Sequence, residues 1–554
     1  MVDNIMPNIV ENVSKVVENV EKVAGGIGKV GGKVADVIQE AVQTTVSDTD
    51  TSGLEEFTLW NYMSSFFIHI ALIVIVIGLK WQYDRNRYRY PKGPRDWRHI
   101  SDAISFHRKK RENLLVLAND YPDLCTVITH IGRVVLLNDP SLINEIFIGR
   151  ADLCSNKIDS YLENQLRYKP GKHLRTGIVF RHYDHNGQTI HRSLVECFDE
   201  VLTENKLDQI IQGQFEQFRS YLISNSSKFD VRHSTFNFAL HILTQLCINR
   251  TFKYDDKVFE TFTNNLYKIS KTIHEDTVAK TSKTALTQLT GLSETLDIND
   301  TVLNYIQQWV KERHPNEDTS DSTVTSTSSG DILDSILKVV PTSSPHIDNE
   351  DVAAMLLDVV MHGSEMLKGA LTWLLLYVVR HPEEADRARN EAKSQNYSKF
   401  NLKNAEKLSY CQAFVKEVLR VSPVVPIVIH STLQDLRWRD YHLQKRTLFG
   451  ANVYALHYSI HWSEPTKFKV ERWIGDNAEK TPQNSYAPFG IGPRQCIAEK
   501  YLFSILTGLL ATLLYHFKFE KCGSIPDPHE GTFGMANLPP SFSLSVQELR
   551  GDAS

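Results

Sequence analysis

The stretch APFGIGPRQCIAEK, Ala487–Lys500, decides the fold. Gly490 and Gly492 permit a tight backbone that a side chain would obstruct. Pro493 stiffens the turn, and Cys496 stands at its end. The apolar run YLFSILTGLLATLLY that follows predicts a long helix. A sulfur at such a place meets the free N–H groups and dipole of the helix start, which favour its thiolate. Arg494 adds a cation close by in the sequence. The loop suits a cysteine that stays anionic and binds a soft-ligand metal. The competing reading is a buried structural cysteine, the usual role of a lone Cys.

Composition narrows the rest. Lys+Arg total 61 and Asp+Glu 66, a net charge of −5, so there is no basic excess of the kind that nucleic-acid binding favours. Apolar residues at 42% and charged residues at 23% exclude wholesale disorder. The seven cysteines are odd in number and contain no C-x-x-C pair, which argues against a disulfide framework or a zinc site and for a reducing compartment.

The arrangement Phe489-Gly490-x-Gly492-x-Arg494-x-Cys496 resembles the haem-binding loop of cytochrome P450 enzymes. In that family the cysteine is the proximal iron ligand, and its thiolate pushes electron density onto the metal. Other segments fit in the family's order. KEVLR carries Glu417 and Arg420 on one helix face, 76 residues (counted from Arg420) before Cys496. FKVERW carries Glu471 and Arg472, with Val470 where the family usually has proline. His430-Ser431-Thr432 resembles the stretch beside the haem propionates. GIVF, Gly177–Phe180, resembles the approach to a haem-contacting helix, with Gln188 at the usual tryptophan and Arg192 four residues on. The likeness spans roughly residues 90 to 550 and is nearest the animal microsomal branch that includes steroid 17-hydroxylases and aromatic-hydrocarbon hydroxylases. It implies a mainly α fold with small β-sheets, a single large haem domain, and haem b (iron protoporphyrin IX) as cofactor. It also implies Cys496 as axial ligand within the Phe489-Gly490 loop, Arg494, Arg192 and His430 at the propionates, and structural roles for Glu417, Arg420 and Arg472.

The distal helix departs from the pattern. DVVMHGSEMLKGALTWLLLYVVRHPEE aligns with the helix that crosses the haem, where the family usually reads Ala-Gly-x-Asp/Glu-Thr. Here the segment is His362-Gly363-Ser364-Glu365-Met366. Cleaving dioxygen needs two protons, and methionine has none to donate. Ser364 lies two positions from Met366, about 200° around the helix. Glu365, with Lys368, is the expected proton relay. An imidazole at His362 would hydrogen-bond dioxygen or ligate the iron, and the plainer reading is a histidine packed against substrate or a neighbouring helix.

Upstream, FTLWNYMSSFFIHIALIVIVIGL, Phe57–Leu79, has 23 residues and no charge, enough to cross a bilayer. Lys80, Arg85, Arg87, Arg89, Lys92, Arg95 and Arg98 follow it, whereas Asp48, Asp50, Glu55 and Glu56 precede it, which orients the C-terminal part to the cytosol. The expected division is an N-terminal, lumenal extension over 1–56, a transmembrane anchor over 57–80, a hinge over 81–99 and the haem domain over 100–554. Residues 10–38 show a helical apolar period weakened by glycines. Residues 316–330, nearly all Ser, Thr and acidic, predict a mobile loop. Thr126–Pro140 predicts two short strands around Gly132, and helices are expected over 188–224 and 231–250. The functional expectation is a haem-thiolate monooxygenase, single-pass in the endoplasmic reticulum membrane. It acts on a lipophilic small molecule, a sterol, steroid or fatty acid, with electrons from NADPH through NADPH-cytochrome P450 reductase. Its partners are membrane lipid and no nucleic acid. The alternatives are an O2-independent haem-thiolate isomerase or dehydratase, prompted by Met366, and a non-enzymatic haem-binding protein.

Overall fold

A computed structural model of the chain describes residues 87–94, 110–129, 132–158, 165–169, 174–275, 292–313, 330–343, 347–480, 482–533 and 536–549. The expected anchor Phe57–Leu79, the extension before it and loop residues 316–329 lie outside the described residues. Among the described residues no helix is long and apolar enough to cross a membrane. The chain divides into two units, residues 1–90 with Arg437–Leu443, and Pro91–Leu436 with Gln444–Ser554. In the first, Arg89 and His442 exchange backbone hydrogen bonds of 2.9 and 3.0 Å. The second carries the elements labelled below.

Its main helices are α1 (Lys110–Asp120), α2 (Pro140–Phe147), α3 (His185–Val201), α4 (Glu204–Ser224), α5 (Val231–Ile248), α6 (Lys257–Glu275), α7 (Leu292–Arg313), α8 (Ile332–Ser343), α9 (Asn349–Arg380), α10 (Pro382–Ser394), α11 (Ser409–Val421) and α12 (Glu499–His516). The strands are β1 (Leu124–Thr129), β2 (Gly132–Leu137), β3 (Phe229–Asp230), β4 (Val428–Ser431), β5 (Leu448–Ala451), β6 (Phe517–Cys522) and β7 (Ser543–Glu548). One sheet runs β1-β2-β5-β4, with the β1–β2 hairpin antiparallel (Thr129 opposite Gly132) and β2 parallel to β5 (Val134 opposite Leu448). A smaller antiparallel sheet runs β6-β7-β3. The predicted hairpin is present, and Asp139 of the Asn-Asp-Pro stop caps α2 by accepting from the Ser141 and Leu142 N–H groups. The stretch expected as one helix over 188–224 is two, because Thr203 adopts extended backbone between α3 and α4.

Helix α9 is the axis of the fold. Asp348 and Asp351 form a reciprocal capping box at its start, and Pro382 follows its end. Its 32 residues are apolar nearly all round, so it survives only by being covered on every side. Helices α5, α6, α7 and α8 pack against it. Trp373 is fully buried and donates its indole N–H to the Asn537 carbonyl at 2.8 Å. Near the centre of α9, His362 and Met366 are only half-buried, and that turn defines the site.

Candidate active site

The cysteine loop is built as its glycines predict. Gly490 and Gly492 take φ of 91° and 78°, in the left-handed region. A Cβ on Gly492 would also sit 2.2 Å from the Phe147 carbonyl oxygen at the end of α2. The Cys496 N–H donates to Phe489 O at 2.9 Å and the Gln495 N–H to Gly492 O at 3.0 Å, which closes the loop. Phe489 packs edge-on against Phe503 of α12, with ring centres 4.7 Å apart. Helix α12 starts at Glu499, so the sulfur precedes it by three residues. Burial raises the Cys496 thiol, the Ala498 N–H opposes that shift, and the Glu499 charge adds to it. Cys125, by contrast, is pushed up to about 12 by burial with nothing opposing. The backbone amide at Ala498, rather than Arg494, is therefore the group that favours the thiolate.

Arg494 turns elsewhere. Its Nε donates to Ser155 O at 2.8 Å, its Nη2 to Arg181 O, and its guanidinium lies 4.9 Å from the Tyr183 ring centre. Burial pushes Arg494 down to about 10, against the raising effect of Tyr183 and Asp184. His430, in β4, is buried with its ring 5.1 Å from Phe147, and its Nδ1 has no hydrogen-bond partner. Burial first, then the charges of Lys157 and Arg494, hold it far below its ordinary value. The same two cations and burial bring His191 down to about 4. Arg181 is buried, its Nε donates to Gly177 O at 2.9 Å, and its Nη2 lies 3.8 Å from Asp351 without a hydrogen bond. Arg192 is exposed on α3 and reaches this group through Tyr183, whose phenol burial raises against the opposing charges of Arg494 and Arg192.

These residues fit a haem. Arg494 and Lys157 both lower the histidines beside them, His430 and His191, and Arg181 is buried with its Nη2 3.8 Å from Asp351. Two propionate carboxylates would add negative charge beside these cations, and would give His430 Nδ1 and Arg181 Nη2 hydrogen-bond partners. A thiol two residues from Arg494 supplies a soft ligand for iron.

On the central turn of α9, His362 and Met366 are the half-exposed side chains, while Met361, Ser364, Glu365, Leu367 and Lys368 are buried. The ring of His362 meets Phe180 edge-on at 5.6 Å, and its Nδ1 is 3.2 Å from the Asp358 carbonyl. Glu365, expected in proton delivery, is instead ion-paired with Lys368, whose Nζ lies 2.7 and 2.6 Å from its two oxygens. The Lys368 ammonium sits over Phe236 of α5 and Tyr267 of α6, at 5.2 and 5.6 Å. The acid is thus held by Lys368, whose ammonium in turn lies against α5 and α6.

The Glu417–Arg420 pair behaves as its spacing predicts. Arg420 Nε and Nη2 donate to the two Glu417 oxygens at 2.9 and 2.8 Å, and Arg472 Nε and Trp473 Nε1 complete that carboxylate at 3.0 and 2.9 Å. Glu471, next to Arg472, instead pairs at the surface with Arg387 at 2.7 Å. Two residues make contacts that the sequence reading did not give: His457, which it did not single out, and Asp358, which it used only to align the distal helix. His457 donates Nδ1–H to Arg420 O at 3.0 Å and accepts the Ala487 N–H at Nε2, also 3.0 Å, so it ties this network to the start of the cysteine loop. Asp358 accepts from buried Arg167 at 3.0 and 3.1 Å and from the Ile178 and Val179 N–H groups at 2.8 and 3.0 Å, fixing GIVF against α9. Neither carries a local signal, since each acts only through distant chain.

Comparison with known proteins shows the family. The Cytochrome P450 family profile matches residues 91–546. A steroid 17-alpha-hydroxylase/17,20 lyase of Ictalurus punctatus is 24% identical over 522 residues, 88% of this chain and 97% of that one. Cytochrome P450 CYP82J17 of Trigonella foenum-graecum is 30% identical over a shorter stretch, 41% of this chain and 45% of the relative. The fold is similar to that of a zebrafish cytochrome P450 solved with progesterone, with a TM-score of 0.67, 19% identity, and coverage of 79% of this chain and 99% of that one. With the profile running from Pro91 through β7 and enclosing the cysteine loop, the chain belongs to the cytochrome P450 family, the haem b monooxygenases.

Proposed function

We propose that this monooxygenase acts on a lipophilic, steroid-like molecule, with Cys496 as the axial thiolate and Arg494, Arg181 and His430 at the haem propionates. The observation that carries the reading is the Gly490–Cys496 turn set beside Arg494, buried Arg181 and a His430 Nδ1 without a hydrogen-bond partner. Haem, when bound, supplies the redox chemistry that activates dioxygen. The chain's own work is to hold the sulfur, balance the propionates and keep water from the distal face. His457 and Glu417 fix the loop's approach. Phe180 and Met366 offer an apolar wall on the side of α9 that also carries His362. Similarity to proteins named steroid 17-alpha-hydroxylase/17,20 lyase supports the substrate class. Electrons from NADPH through NADPH-cytochrome P450 reductase, and a single-pass anchor at Phe57–Leu79 in the endoplasmic reticulum membrane, complete the proposal.

The test is a carbon monoxide difference spectrum of the reduced, haem-supplemented full chain, repeated with a steroid panel. The expected result is the thiolate-ligated Soret band, lost in Cys496→Ala, and a spin-state change with at least one steroid. Colourless protein, or a Soret band unchanged in Cys496→Ala, overturns the assignment. A second reading has an observation in its favour. Met366 carries no proton and Glu365 is held by Lys368, so the chemistry could be rearrangement or dehydration without dioxygen. Product carrying label from 18O2, formed only with the reductase, excludes it.

A further inference from the structure

The distal turn of α9 holds a nitrogen base that the reaction as described does not use. We propose that His362 would be a second protein ligand of the haem iron in the substrate-free protein, in addition to Cys496. This rests on the haem-thiolate reading above.

The tautomer carries the argument. The partner of His362 Nδ1 is the Asp358 carbonyl at 3.2 Å, and a carbonyl only accepts, so Nδ1 bears the proton. The neutral ring then presents a lone pair at Nε2. A histidine that donates one ring N–H to a backbone carbonyl and keeps the other nitrogen bare is the usual arrangement of a metal-bound imidazole. The same tautomer has no proton at Nε2 to give, which removes the role of hydrogen-bond donor to dioxygen.

The ring is also held in place. Phe180 meets it edge-on at 5.6 Å. Asp358, one turn earlier, is pinned by Arg167 and by the Ile178 and Val179 N–H groups, so the carbonyl that orients the imidazole is itself fixed. Phe180 is followed by Arg181, whose carbonyl accepts from Arg494, two residues from Cys496. The imidazole and the thiol are therefore linked to one neighbourhood through a short chain of contacts. Burial, the largest influence on His362, and the Arg167 charge outweigh the Asp358 carboxylate and keep the ring neutral, the form that binds metals. Met366, one turn on, and Glu365, engaged by Lys368, offer no competing ligand of comparable strength for iron.

The consequence is a closed resting state. Substrate or dioxygen must displace the imidazole, so entry to the distal face becomes a ligand exchange. The experiment compares wild type with His362→Ala, both as haem-loaded full chains. Added imidazole should red-shift the Soret band of His362→Ala and leave wild type unchanged, because wild type already carries a nitrogen ligand. Carbon monoxide should bind reduced wild type at least tenfold more slowly than the variant. Equal imidazole shifts in the two proteins overturn the proposal, and so do equal carbon monoxide rates. If His362→Ala does not hold haem, the electron paramagnetic resonance g-values of wild type decide alone. Values unaltered by imidazole support ligation and altered values refute it. A reduced carbon monoxide complex without the thiolate band would instead count against the Cys496 assignment, so the two failures are distinguishable.

Discussion

Gly492 shows how much one position can hold. Its φ of 78° is a conformation that L side chains rarely adopt, and the missing Cβ is also the space taken by the Phe147 carbonyl. Alanine there meets both obstacles at once, at a cost of about 1–3 kcal/mol for the strained backbone and more from the contact. Gly492→Ala should therefore lower the denaturation midpoint and also weaken haem retention, since the turn carries Cys496. A variant that keeps full haem content and an unchanged midpoint would show that the turn is dispensable. Gly490 is the gentler case. It shares the left-handed φ, but its added Cβ would stand 3.6 Å from Gln495, which is ordinary contact. The glycines were legible in the sequence because their reason is local. His457 and Asp358 were not, because their partners lie 37 and up to 191 positions away along the chain.

At the scale of the element, α9 carries on a single turn both a buried ion pair and the half-buried side chains of His362 and Met366. The ion pair is Glu365 with Lys368, under the rings of Phe236 and Tyr267. Removing one partner of such a pair leaves an uncompensated buried charge, which costs about 3–5 kcal/mol, whereas replacing both with apolar groups is often neutral. Lys368→Met should accordingly be strongly destabilised, and the Glu365→Leu/Lys368→Met double variant should recover most of the loss in chemical denaturation. Additive losses would mean that the two charges are held independently. The body of α9 was legible from Asp358 to His381-Pro382 through its resemblance to the helix that crosses the haem, whereas its start at the Asp348 cap was not. The pairing of Glu365 with Lys368, three residues on, was legible as a buried pair of opposite sign. That the pair sits under Phe236 of α5 and Tyr267 of α6 was not, because those rings come from distant chain.

The whole molecule buries several histidines without giving them a compensating charge, and this sets its response to acid. His457 is held down to about 3 by burial and by the Arg420 charge, and His241 down to about 4 by burial. The His241 ring stacks on Tyr254 at 4.3 Å and lies 4.6 Å from Phe259, and its Nδ1 has no partner. In the unfolded chain both would titrate near the ordinary value of about 6.5. Above that pH neither form binds the proton and stability is unaffected. Below it the unfolded chain gains protons that the folded chain refuses, so stability falls as pH drops from about 6.5 toward 4. Each histidine contributes a slope of about 1.4 kcal/mol per pH unit in that window, or about 3 kcal/mol per unit for the two. The melting temperature should be flat above pH 7 and decline steeply between pH 6 and 4.5. His241→Phe keeps the stacked ring and removes the titrating nitrogen, so it should lessen the decline by about one proton while leaving the value at pH 7.5 nearly unchanged. An identical acid slope in wild type and His241→Phe would mean that His241 reaches water in the native state, and would place the acid sensitivity elsewhere.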